Sequence, residues 1–161
     1  MKRVLTLSLR AVALLGALAL SSASAQAQSQ PAWRFQAQTA DFISYLDTNS
    51  ILRHGDLVWY HTAKVYRTPQ GVTAKWPGWL TLYEGRCGTF DNKATRMDGL
   101  DDSGAYREWS TQKPTEWSPT QPGQIGRRTL EHVCGKPLPP GPALSSTAAL
   151  VADGKARLGI R

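Results

Sequence analysis

Three histidines, two cysteines and a short acidic run are the residues of this chain best suited to chemistry. His54, His61 and His132 sit in no H-E-x-x-H pattern, and no G-x-S-x-G or P-loop motif accompanies them. His61 falls on the inward set of a strand pattern, which reads as a core histidine rather than a base. His54 lies in a turn and should be solvated. His132 lies near a helix C-terminus, where its positive form suits the helix dipole. Asp98, Asp101 and Asp102 offer oxygen ligands of the kind Ca²⁺ takes. Their spacing fits no EF-hand loop, and a hairpin turn explains them without a metal. No catalytic residue, metal ligand or cofactor is therefore assigned, and an enzyme is not expected. What remains is recognition. Trp76 and Trp79 flank Pro77-Gly78 on an expected loop, where exposed indoles serve as contact platforms; core packing is the plainer use. Arg127 and Arg128 lie on the polar face of a helix, where they face solvent or an acidic partner.

Those residues must be held by elements. Leu57, Trp59, His61, Ala63 and Val65 alternate with Val58, Tyr60, Thr62, Lys64 and Tyr66, a period of two with the more apolar set facing a core. Shorter strands are expected at Phe42 to Asp47, at Trp79 to Cys87 after the break Trp76-Pro77-Gly78, and at Thr89 to Met97. An extended run is expected over Ser50 to Arg53, turned into the long strand by His54-Gly55-Asp56. Asp101-Asp102-Ser103-Gly104 turns the chain into a return strand over Ala105 to Ser110. After the loop Ser118 to Gly123, Gln124 to Cys134 reads as a helix with Ile125, Thr129, Leu130 and Val133 on one face. Gly135 and Pro137 stop it. Strands first and a helix last give an α+β domain, an antiparallel sheet with a C-terminal helix on one face.

The sequence holds 161 residues, one domain's worth. Its 41% hydrophobic and 19% charged content is that of a globular chain, not a disordered one. All six Trp, five Tyr and three Phe lie between Trp33 and Trp117, enough aromatic surface for the core of a domain of about 100 residues. The first 25 residues stand apart. Met1-Lys2-Arg3 is a positive start, Ala11 to Leu20 is an apolar run too short to span a bilayer, and Ala23-Ser24-Ala25 precedes Gln26 as a cleavage pattern. A secretory signal peptide over 1–25 follows, cleaved between Ala25 and Gln26, with Ala27 an alternative site. A polar leader spans 26–32, and no membrane span is expected in the mature chain. Removing Lys2, Arg3 and Arg10 from the 19 basic residues leaves 16 against 12 acidic ones, so the net charge falls from +7 to +4. That is too little for the dense basic face of a nucleic-acid binder. Residues 135–161, opening with Pro137-Leu138-Pro139-Pro140-Gly141-Pro142, are expected to be disordered or loosely docked, with a short helix over 144–152 as the alternative.

An exported chain meets an oxidising compartment, where Cys87 and Cys134 are expected to pair. The bridge would tie the helix to the sheet and close a loop of about 48 residues, which loop-closure entropy values at roughly 4 kcal/mol. No cysteine lies near the cleavage site for lipid attachment.

The ordered set Tyr45-Leu46-Asp47, Ser50-Ile51, Gly55-Asp56, Val58-Trp59, Cys87, Arg96, Asp101 with Gly104, Trp117, Pro122-Gly123 and Val133-Cys134 resembles the bacterial surface-adhesin protein E family. The resemblance covers roughly residues 33–134. It implies an antiparallel sheet with a disulfide-tethered C-terminal helix, exposure at the cell envelope, and a partner among host extracellular-matrix or serum proteins. Gln124 departs from the Ser the family carries after Pro-Gly, which weakens the helix cap. The expected function is that of an exported, non-enzymatic envelope or binding protein in the periplasm or at the cell surface. The alternative is a periplasmic accessory protein with an internal envelope partner. Neither reading fixes an oligomeric state.

Overall fold

The computed structural model describes residues 30–70, 75–108 and 114–160; the expected signal segment and the expected cleavage site at Ala25 and Gln26 lie outside them. The described chain runs β1 (Trp33–Gln38), β2 (Phe42–Asp47), a 3-10 turn (Thr48–Ser50), β3 (Leu52–His54), β4 (Leu57–Gln70), β5 (Trp76–Arg86), β6 (Asp91–Leu100), β7 (Tyr106–Glu108), β8 (Ser118–Pro119), α1 (Ile125–Val133), β9 (Ala143–Leu144) and α2 (Thr147–Leu158). The strands form one antiparallel sheet in the order β7-β6-β5-β4-β2-β1-β9, with β3 beside β4 and β8 beside β6. The expected α+β architecture is present, and Cys87–Cys134 joins the end of β5 to the end of α1, with Cα atoms 5.5 Å apart.

The central strand β4 departs from the one-faced reading. Both of its faces are covered, each by a helix and each at a different end. On one face α1 buries Val58 and Tyr60 together with Leu46, through Leu130 and Val133. On the other, α2 buries Ala63 and Val65 with Ile43, Tyr45, Leu80 and Leu100, through Leu150, Val151 and Leu158. The alternation therefore marks two half-faces rather than one core. Close contact fixes both helices. A Cβ on Gly85 would meet Leu130 Cδ1 at 2.6 Å, and one on Gly154 would meet three carbons of Val65 at 2.6–2.9 Å. Glycine at these positions lets helix and sheet approach.

Helix α2 corrects the expectation of a loose tail. Ser146 caps it by accepting from the Ala149 N–H at 3.1 Å, and Gly159 ends it in the left-handed conformation. Asp153 holds it to the sheet, accepting from the Tyr45 hydroxyl and from Arg157 Nε at 2.6 Å each. Burial and that acceptor push the Tyr45 hydroxyl's pKa upward. The prolines before α2 have a role too. β9 pairs with Trp33 and Arg34, and Arg34 donates to the Pro139 carbonyl at 2.9 Å. β9 thus adds two residues to the ladder at the β1 edge, and the prolines before it, which offer no N–H, do not carry the pairing further.

Two further boundaries shift. β5 begins at Trp76, running through the Pro77-Gly78 break, because Gly78 pairs with both Val65 and Leu100. The return strand ends at Glu108, and its expected continuation to Ser110 lies outside the described residues.

Candidate binding face

Because α2 covers only one end of its face, the other end of that face stays open. Cross-strand partners share a face, so the register builds it row by row. Leu82 of β5 joins His61 of β4 to Arg96 of β6, and Trp59 sits between Leu52 of β3 and Glu84 of β5. Here lies a cleft of about 500 Å³ lined by Trp33, Asp47, Ser50, His61, Leu80 and Tyr106. It continues into a second hollow of about 440 Å³ bounded by Leu82, Arg96 and Asp98. Tyr106 lines both hollows at 54% exposure, and Leu52, 65% exposed, stands beside Trp59 on the same face of the sheet.

The polar groups of the cleft are held in place. Asp98 is buried and accepts from Arg96 Nε at 2.8 and 3.1 Å. Asp47 caps the 3-10 turn, accepting from the Asn49 and Ala32 N–H groups at 3.0 and 2.8 Å. Ser50 Oγ accepts from the His61 backbone N–H at 2.8 Å. The His61 ring makes no hydrogen bond among the described residues. Burial lowers its pKa, and the neighbouring carboxylates of Asp47 and Asp98 only partly oppose that. A neutral imidazole without an activating acid offers surface for contact rather than a poised base.

The other residues singled out from sequence are dispersed. Trp79 is buried in β5 at 8% exposure, so it is not a surface platform. Trp76 is half-buried, and its ring lies against Gly99, where a Cβ would meet it at 2.8 Å. Both belong to the sheet because β5 extends through the expected loop. Arg127 stacks over the Phe90 ring at 3.6 Å and pairs with Glu131 at 3.2 Å. Arg128 is exposed on α1. Asp101 organises its turn, accepting from the Ser103 and Ala105 N–H groups, and Asp102 pairs with Lys155 at 2.5 Å. His132 Nδ1 lies 3.1 Å from the Lys136 carbonyl, and His54 is exposed. Among the described residues no three His, Cys, Asp or Glu side chains are grouped to hold a metal, and no helix is long and apolar enough to cross a membrane. Sequence reasoning named His61 as inward-facing but missed Leu52 and Tyr106. Their apolar character in short strands next to turns was the only signal available.

No protein-family model matches the chain, and neither does any curated protein. Among solved structures it is similar to Haemophilus influenzae protein E, at 13% identity over 64% of this chain and 83% of that one, TM-score 0.49. The selenomethionine form of that protein matches at 14% identity over 63% and 91%, TM-score 0.48. Likeness of this order assigns no residue and no ligand.

Proposed function

We propose that this chain is an exported, non-enzymatic binding protein that meets a protein partner on the open half of its sheet. The observation that carries this reading is the cleft: strand side chains uncovered by either helix, with exposed Tyr106 in its lining, His61 beside the Arg96–Asp98 pair, and exposed Leu52 farther along the same face. Large apolar side chains around a few fixed polar groups are the make-up of protein contact sites. The His61 ring, bonded to no acid or hydroxyl among the described residues, supports contact over catalysis. A signal-like N-terminus and the Cys87–Cys134 bridge both favour an oxidising compartment outside the cytoplasm. The ordered motif resemblance to the surface-adhesin protein E family favours a host matrix or serum protein as the partner. Exposed Arg128 is a second contact candidate, on the helix of the opposite face.

The second reading is a periplasmic accessory protein with an envelope partner, which the same bridge and signal-like N-terminus also fit. Fractionation of the native cell with protease shaving separates the two. Loss of the protein from shaved intact cells, or its presence in the medium, supports adhesion. Retention in a protected periplasmic fraction ends the adhesion reading and leaves the accessory one. Retention in the cytoplasm overturns both.

A further inference from the structure

On the face opposite the cleft, between the sheet and the first turn of α1, is a small pocket of about 70 Å³. Ser44, Thr62 and Lys64 lie side by side on β2 and β4, because Ser44 is the register partner of Lys64 and Thr62 stands two residues along. Tyr83 and Asn92 form one wall and Gly126 the roof. Ser44 and Thr62 are only 2% and 7% exposed, yet neither hydroxyl has a hydrogen-bond partner among the described residues. Among the described residues the sealed side-chain atoms without a partner are Trp33 Nε1 and Trp76 Nε1, so these two hydroxyl oxygens open onto the pocket. Lys64 is half-buried and has no carboxylate partner among the described residues; its ammonium rests 4.8 Å from the centre of the Phe42 ring. Burial alone lowers its pKa, with no carboxylate to oppose it. The roof adds the same sign of charge. Gln124 gives α1 no side-chain cap, and no acidic residue occupies its first turn, so the helix presents uncapped N–H groups there.

From this we infer that the Lys64 pocket binds a small oxyanion, a carboxylate or a phosphate, held by the ammonium, the two orphan hydroxyls and the amino end of α1. Donors outnumber acceptors, no carboxylate lines the space, and the volume exceeds the room one water needs. That suits a small anionic group. Helix N-termini take such groups readily. The site is separate from the proposed protein-binding cleft and does not depend on it.

The test is calorimetry and thermal unfolding of the mature protein with sodium phosphate or sodium acetate, each against sodium chloride of equal ionic strength. The expected result is saturable binding and a rise in Tm beyond that of chloride. A response to phosphate alone assigns a phosphate-bearing ligand, and a response to acetate as well assigns a carboxylate. Lys64→Met and Thr62→Val should each weaken the affinity about tenfold or more, while Lys155→Ala, on α2 at the other face of the sheet, leaves it unchanged. Should Lys64→Met not fold, Thr62→Val and Ser44→Ala carry the same comparison. Responses to both salts equal to that of chloride overturn the proposal, as does undiminished affinity in the folded pocket variants.

Discussion

Gly154→Ala tests whether the C-terminal helix is seated on the sheet. In an isolated helix the change is stabilising by about 1 kcal/mol, because alanine loses less backbone freedom than glycine. Here the new Cβ would stand 2.6–2.9 Å from Cβ, Cγ1 and Cγ2 of Val65, short of the 3.4 Å at which ordinary contact begins. Val65 is buried mid-strand and β-branched, so it has no spare rotamer to yield. Helix α2 must therefore retreat by up to about 0.8 Å, and gaps of that size forfeit roughly a quarter to a half of each dispersion contact. Leu150, Val151 and Leu158 would all loosen. Overpacking of this kind costs about 1–3 kcal/mol, so the net effect is a loss of about 1 kcal/mol. For a domain of this size that lowers Tm by about 2–4 °C. In a Val65→Gly background all three of those carbons are gone and the same change should become stabilising, a coupling of about 1–3 kcal/mol. The assay is a double-mutant cycle by thermal and urea unfolding. If Gly154→Ala raises Tm equally in both backgrounds, α2 does not rest on β4.

Reduction of Cys87–Cys134, or its replacement by two alanines, should cost roughly 4 kcal/mol for a sequence separation of 47 residues, read as a lower urea midpoint; an unchanged midpoint would contradict the tether. Leu130→Ala, at the contact of α1 with Gly85, should cost about 2–5 kcal/mol in the same unfolding experiment. His61 has a lowered folded pKa, so the unfolded chain takes up its proton first as pH falls. Both forms are neutral above about pH 6.5, where His61 adds no pH dependence. Below that its contribution declines and then levels off once the folded imidazole is protonated. His61→Gln should flatten that part of a stability profile between about pH 7 and 5, and a profile identical to the parent's would refute it.

Periodicity revealed the strands more reliably than what covers them. The Ile125 helix is read directly, since it buries one stripe of apolar residues, and Phe42 to Asp47 is read from its β-forming residues although it is buried on both faces. β4 misleads because Tyr60, Thr62 and Lys64 look solvent-facing by type. All three are amphipathic or small enough to lie beneath α1 and its neighbours. Helix α2 was expected only as the alternative, over 144–152, and its run to Leu158 was hidden because its small residues give a weak stripe and the prolines before it resemble a domain's end. Its cap pair, Ser146 and Gly159, was the legible clue. The cleft was not legible in sequence. Leu52 and Tyr106 lie about fifty residues apart and come to one face only through the pairing of β3 with β4 and β6 with β7.

The central claim is that a protein partner sits on the open half of the sheet. A photo-crosslinking residue at Leu52 or Tyr106, compared with one at exposed Ala156 on α2, tests it in living native cells. The account predicts one discrete adduct, the same partner from both cleft positions, and none from position 156. Equal adducts from all three positions, or none from the cleft while position 156 is captured, would contradict it.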